Sequence, residues 1–210
     1  ESVFDTTENK YIRLFLYKYF KIKAVVSLPQ LAFEPFTSTK TSILFAQKKT
    51  SEEVSAWNTE WNDASSDYSK LKTRVENLMA VHDGIKEKKK LPSIKDITSD
   101  EEKAIIRKML KNHLTDKDDS LSSDELIEKY HPELINLCTF DKDTVDSFGR
   151  VNTWWVFSEV APKLNYDVFM AEVDNVGYKR TKRGEKAAPN ELFNLEYAPL
   201  KLDIAAIGTN

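Results

Sequence analysis

The residue types that most often carry catalysis or bind metals are sparse in this chain and widely separated. The candidates are three histidines and a single cysteine: His82, His113, His131 and Cys138. No two of them have the spacing of metal ligands. Cys138 and His131 could serve as a nucleophile and its base, but a lone cysteine more often packs in a core. We therefore predict no metal site and no catalytic centre within these residues.

The loop from Gln30 to Thr41 carries the most informative side chains. It presents Phe33 and Phe36 beside Lys40 and a cluster of hydroxyl groups. Aromatic rings beside a cation could stack an unpaired base and hold its phosphate. The alternative is that both phenylalanines cover a hydrophobic core, and the residue types alone favour that alternative.

Composition excludes several other functions. The 210 residues include only 5 glycines, in none of the patterns that cradle a phosphate or a dinucleotide. The formal net charge of −3 excludes a strongly basic nucleic-acid module, so any contact with DNA would come from local patches. No apolar run is long enough to cross a membrane. One cysteine excludes an internal disulfide, which fits a reducing cytoplasm.

The pattern around the loop indicates part of an α/β sheet. Apolar residues at helical spacing predict a helix over residues 5–20, with Asp5 as its cap. A β-branched run then predicts a strand over 22–28, and an apolar run predicts a second strand over 42–48. The second run is apolar on both faces at its centre, which is typical of a buried strand.

A mainly helical region follows. A long helix is predicted over 52–82, because apolar residues recur alternately every three and four positions. Those residues are Val54, Trp57, Trp61, Ala64, Tyr68, Leu71, Val75 and Leu78. This seam could pack against the chain's own helices or dock a partner. Acidic pairs such as Asp118 and Asp119 are expected to be solvated.

Further elements are predicted towards the end of the chain. They are a helix opening at Ser99, capped with Glu102, and ending near Leu114; a short helix over 124–130; a helix over 143–164; a strand over 166–173; and a basic loop over 179–183. The domain boundaries we predict are 1–50 for the sheet part, 51–140 for the helical region and 141–210 for the remainder.

Two stretches of this sequence resemble the methylation (M) subunit of type I restriction–modification systems, which are adenine-N6 DNA methyltransferases. The first is Lys23-Ala-Val-Val-Ser-Leu-Pro29, then Phe33 in the loop, then Lys40-Thr-Ser-Ile-Leu-Phe45. The second is Val168-Phe-Met-Ala-Glu-Val-Asp-Asn-Val-Gly-Tyr178, continuing through the basic residues, with Asn190-Glu-Leu192 after it. The resemblance covers both ends of the chain. The helical middle matches only in general character.

The resemblance implies a fold and a role for the loop. It implies an α/β fold: the end of a Rossmann-like methyltransferase sheet with antiparallel last strands, followed by a mainly α-helical region. Phe33, or Phe36 as the alternative, would pack against the flipped-out adenine. The cations of the loop and of the basic stretch would meet DNA phosphates or a partner subunit: Lys40, Lys179, Arg180, Lys182 and Arg183.

The family's other motifs do not occur in this sequence. These are a glycine-containing loop that binds S-adenosylmethionine and an Asn-Pro-Pro-aromatic motif that acts on adenine. The resemblance therefore implies a C-terminal part of a cytoplasmic M subunit, expected to bind no cofactor and to be inactive alone. Its expected partners are DNA, the specificity (S) subunit and the restriction (R) subunit. The alternative is a non-catalytic helical interaction module.

Overall fold

The structure is a computed structural model that describes residues 3, 6, 9–34, 36–37, 39–181 and 184–192. These residues form two compact units. The sheet unit consists of the described residues of Glu1–Trp57 and Asn165–Asn210, and the helical unit is Asn58–Leu164. The protein thus combines small β-sheets with a larger helical content.

The sheet unit begins with helix α1 (Lys10–Tyr19) and strand β1 (Phe20–Ser27). Strand β2 (Ser42–Lys48) pairs with β1 in antiparallel fashion, from Phe20 opposite Lys48 to Ser27 opposite Ser42. Strand β3 (Phe169–Glu172) lies on the other side of β1 and parallel to it. The strand order is β2-β1-β3, which makes β1 the central strand.

Strand β1 has the alternation expected of its position. Ile22, Ala24 and Val26 are buried, while Lys23 between them is exposed. The antiparallel pairing of the two predicted strands is confirmed, although β1 starts two residues earlier than predicted. The prediction of a buried β2 was wrong. Among the described residues β2 pairs only with β1, and its side chains are half-buried or exposed. Its apolar run therefore lies at an edge of the sheet.

A second sheet is a hairpin of β4 (Val176–Thr181) and β5 (Gly184–Asn190). The prediction of a basic loop over 179–183 was wrong for residues 179–181, which extend strand β4. Lys182 and Arg183 lie outside the described residues, as does Asp5, the predicted cap of the first helix. The sequence patterns did not predict β5, because its residues lack the β-branched and aromatic side chains that mark strands.

Helix α2 (Ser51–His82) runs without a break through its polar middle, and the helical unit contains this helix from Asn58 onward. The other helices are α3 (Ser99–Leu110), α4 (Ser123–Lys129), α5 (His131–Cys138), α6 (Val145–Phe148) and α7 (Thr153–Val160). The seam of α2 is buried except at its first residue, Val54. It therefore forms core.

Two helix predictions need correction. The capping box of α3 is made by Thr98 and Glu101, one position before the predicted pair Ser99 and Glu102, and the helix ends at Leu110. The single helix predicted over 143–164 is instead α6 and α7. Gly149, with a φ of 85°, ends α6, and the side chain of Asn152 caps α7 at the Trp155 amide.

The prediction that Asp118 is solvated was also wrong. It is fully buried, and its carboxylate accepts hydrogen bonds from Lys129, from the Thr115 amide and hydroxyl, and from the Tyr130 hydroxyl. These donors hold the pKa of Asp118 well below its ordinary value, with the Lys129 ammonium contributing most. The carboxylate therefore ties α4 to the turn that precedes it.

Candidate functional site

The loop between β1 and β2 is a folded structure with its own hydrogen bonds. The Leu28 amide donates to the Thr41 carbonyl at 2.9 Å, which closes the base of the loop. A short 3-10 turn, Gln30–Phe33, follows. The amides of Phe36 and Thr37 both donate to the Phe33 carbonyl, at 2.9 and 3.1 Å. The backbone around both phenylalanines is therefore fixed by local contacts.

Both phenylalanines of the loop face solvent. Phe33 is 46% exposed and Phe36 is 92% exposed. The core below the loop is formed by Val26, Leu28, Ala32 and Val173 without them. The interpretation that both rings cover a hydrophobic core is thus wrong for Phe36. Phe33 is half-buried, but it is not part of this core cluster. Both rings are therefore accessible from solvent, as stacking on a base requires.

Lys40 lies at the end of the loop but has a partner within the chain. Its ammonium group donates to Glu172 of β3 at 2.7 Å. The pKa of Glu172 is lowered, mainly by this hydrogen bond and also by the charge of Lys40. A phosphate at this position would compete with the Glu172 carboxylate for the lysine.

The other side of the loop is held by strand β4. The hydroxyl of Tyr178 donates to the carbonyl of Ala32, directly before Phe33 in the chain. The two stretches that carry the resemblance are separated by most of the sequence, yet they come together here. Sequence reasoning selected both stretches but not this contact, because no spacing rule relates positions so far apart.

The remaining predicted site residues are only partly placed. The backbone of Lys179 and Arg180 lies in β4, and Lys182 and Arg183 are outside the described residues. Phe33, Phe36 and Lys40 thus lie on one loop, and the backbone of Lys179 and Arg180 lies in the strand that continues from Tyr178.

The buried lysine of the sheet unit has a structural role. Lys49, only 8% exposed, follows β2 and donates through its Nζ atom to the Tyr17 carbonyl of α1 at 2.7 Å. Burial lowers its pKa, and the nearby Glu53 carboxylate opposes that shift. Lys49 thus links β2 to helix α1, at the end of the strand away from the loop.

The histidines and the cysteine do not form a reactive centre in the described part of the chain. Asp83 lies between His82 and His131, with Nδ1 and Nε2 contacts of 3.2 and 3.4 Å. Cys138 is buried in the helical unit, and burial raises its pKa to about 12. No group of three or more potential ligands within the described ranges could hold a metal ion.

Neither the protein-family models nor the curated proteins include a match to this chain. None of the helices that the structure describes is both long and apolar enough to cross a bilayer.

Proposed function

We propose that this chain is the C-terminal part of an M subunit of a type I restriction–modification system, an S-adenosylmethionine-dependent adenine-N6 DNA methyltransferase. In this proposal the loop between β1 and β2 forms one wall of the pocket for the flipped-out adenine. The parent protein binds the cofactor through residues that this chain does not contain, and it works in the cytoplasm with DNA and with the S and R subunits.

One observation carries the proposal: Phe33 is exposed on an ordered loop between two antiparallel strands. An enzyme that modifies a base must move it out of the stack, which costs a few kcal/mol. A flat aromatic ring returns about 1–3 kcal/mol by stacking. The loop offers such a ring without any rearrangement of the core below it.

Charge and connectivity add support. Lys40, at the other end of the loop, places a cation for a DNA phosphate on the same loop as the two rings, and Glu172 holds it in place. The outer edge of β2 has no strand partner among the described residues. That edge is where the remainder of a methyltransferase sheet would continue.

The alternative, a non-catalytic helical interaction module, relied on the tryptophan seam as a docking surface. Trp57 and Trp61 are each only 4% exposed. A partner could not reach them without unfolding the helix from its own core, so the alternative loses the feature that favoured it.

The test is a methylation assay in cells. The gene encoding this chain would be expressed with its specificity-subunit gene in a host free of adenine methylation, and N6-methyladenine mapped by long-read sequencing. We expect methylation at one recurrent sequence and a loss of at least about fivefold in Phe33→Ala, since a stacking contact is worth about 1–3 kcal/mol. Phe36→Ala tests the alternative ring.

Phe169→Ala is the matched control, because Phe169 is a phenylalanine of the same unit with 41% exposure, close to that of Phe33. Its methylation should stay at the wild-type level. Wild-type methylation in both loop variants would rule out a role for the loop in the base pocket. No adenine methylation from the unmodified gene would overturn the proposed class.

A further inference from the structure

The loop with the two phenylalanines is held at both ends by the C-terminal part of the sheet unit. Before Phe33, the Ala32 carbonyl accepts the hydrogen bond of Tyr178. After Phe36, Lys40 is bound by Glu172. The two holding residues are six positions apart in the sequence, on β3 and β4. One short stretch therefore fixes both ends of the segment that carries the aromatic rings.

The Tyr178 contact acts on Phe33 through the backbone. The carbonyl of Ala32 belongs to the peptide group that joins Ala32 to Phe33, and a peptide group is planar. Fixing the carbonyl direction therefore fixes the plane from which the Phe33 backbone continues. Ala32 itself is buried in the core cluster, so the peptide is held from both sides.

Tyr178 is held in a precise position by its own hairpin. It pairs with Ala187 of β5, and Gly177 before it has a φ of 93°. The Asn190 side chain fills the space where a Cβ atom of residue 177 would lie, at 3.3 Å. At the open end of the hairpin, the Glu191 carboxylate accepts a hydrogen bond from the Asp174 amide at 3.0 Å. This contact joins the residues just before β4 and just after β5.

We propose that Tyr178 is a positioning residue for the target base: its hydroxyl fixes the Ala32–Phe33 peptide so that the Phe33 ring meets the flipped adenine. Glu172 fixes the other end of the segment through Lys40. This inference rests on the proposed function, and it assigns a task to the second of the two stretches that resemble the M subunit.

Two variants separate this role from general stability. Tyr178→Phe removes only the hydroxyl. Tyr166→Phe is the matched control, because the Tyr166 hydroxyl also approaches a backbone carbonyl of β1, that of Phe20 at 3.5 Å, away from the loop. Each variant is made in the complete M subunit, assembled with its specificity subunit. Each is assayed on a duplex containing the methylated sequence found in cells.

The main readout is 2-aminopurine fluorescence at the target position, which reports how much of the base is flipped. We expect Tyr178→Phe to lower the flipped population and kcat about fivefold, the effect of losing one hydrogen bond. The Kd for DNA should change less than twofold. Tyr166→Phe should alter neither flipping nor kcat, although it removes a comparable hydroxyl.

A double-mutant cycle tests whether Tyr178 acts through Phe33. In a Phe33→Ala background, Tyr178→Phe should have no further effect on flipping. Equal effects in both backgrounds would overturn the inference while leaving the proposed function intact. No effect of either Phe33→Ala or Phe36→Ala by itself would instead overturn the role of the loop in the proposed function.

Glu172→Gln provides a second route if Tyr178→Phe unfolds the hairpin, as judged by circular dichroism. It keeps the size of the side chain but removes the charge that holds Lys40. A reduced flipped population at unchanged melting temperature supports the inference. Wild-type flipping in Glu172→Gln would contradict it.

Discussion

The phenolic oxygen of Tyr68 lies 2.7 Å from the carbonyl oxygen of Leu137, in the buried centre of the helical unit. This hydrogen bond connects α2 to α5, and the Tyr68 ring also packs against Trp155 at 5.4 Å between centroids. Two turns earlier on α2, Trp61 donates to the Phe148 carbonyl at 3.0 Å. The Tyr68 hydroxyl and the Trp61 indole N–H are therefore both used inside the chain.

Tyr68→Phe should lower the free energy of unfolding by about 1–2 kcal/mol, because it leaves the buried Leu137 carbonyl without its donor. Chemical denaturation followed by circular dichroism measures this change. Ser69→Ala is the control. The Ser69 hydroxyl also donates to a backbone carbonyl, that of Ser65, but this hydrogen bond is exposed to solvent. It should change stability by less than about 0.5 kcal/mol. Equal effects would mean that the Tyr68 contact is not desolvated.

Asp118→Asn should lower the melting temperature by several degrees at pH 7 and weaken the acid dependence of stability. In the folded protein the pKa of Asp118 is held below its ordinary value of 3.8. Its contribution is therefore fully present above that value. It is lost as the pH falls below it, because the unfolded chain takes up the proton first.

The adjacent Asp119→Asn is the control for this experiment. Asp119 pairs with Arg107, but its side chain is 69% exposed, so solvent screens the pair. Urea denaturation at pH 7, 5 and 3 should show a clearly smaller loss than in Asp118→Asn. A wild-type pH profile in Asp118→Asn would contradict the buried ionic contact.

Cys138 should not react with thiol reagents in the folded protein up to pH 9. Its pKa of about 12 leaves almost no thiolate, which is the reactive form, and the side chain is buried. Labelling with 5,5′-dithiobis(2-nitrobenzoate) should give one equivalent only after guanidinium is added. Because the sequence has one cysteine, the signal needs no assignment. Rapid labelling of the native protein would show that the site opens.

Gly177→Ala should destabilise the protein by about 1–2 kcal/mol, because a side chain at a φ of 93° is strained and would press against Asn190. Gly184→Ala, in the same hairpin, is the control. Gly184 also has a positive φ, 119°, but open space where its Cβ would lie. Thermal unfolding should rank Gly177→Ala as the more costly change. The reverse order would contradict the close approach of Asn190.

S-adenosylmethionine should show no saturable binding to this chain in isothermal titration calorimetry. The expectation comes from the sequence, which contains neither a glycine loop for the cofactor nor an Asn-Pro-Pro-aromatic motif. S-adenosylhomocysteine serves as a second probe of the same site. Saturable heats with either compound would contradict the assignment of the chain to the C-terminal part of the subunit.

Local patterns predicted the local structure of this protein well. The 42–48 strand matches the structure, and the seam of α2 predicted its buried face, because side chains on one helix face repeat every three to four residues. The antiparallel pairing of β1 with β2 was an implication of the resemblance to the M subunit and not of the residue patterns themselves. The exposure of Phe36 could not be predicted from the sequence, since it depends on whether residues from elsewhere in the chain pack over the loop.

Contacts between distant residues were beyond sequence patterns. Nothing in the 166–173 run indicated that part of it pairs with β1, or that Tyr178 reaches Ala32. The burial of Asp118 was missed for a similar reason. An acidic, serine-rich stretch is usually solvated, but here Lys129 and Tyr130 from the following helix surround one carboxylate. The signal that could have helped was Thr115 three residues before it, a capping-box spacing.

The strand order β2-β1-β3 has a consequence for how the protein responds to proteases. The polypeptide leaves the three-stranded sheet after Lys48 and re-enters it at Phe169, so the helical unit is an insertion within the sheet unit. A nick in a connection of the helical unit would not release the sheet unit as one fragment. It would yield two peptides that stay associated through the β1–β3 pairing and separate only in denaturant.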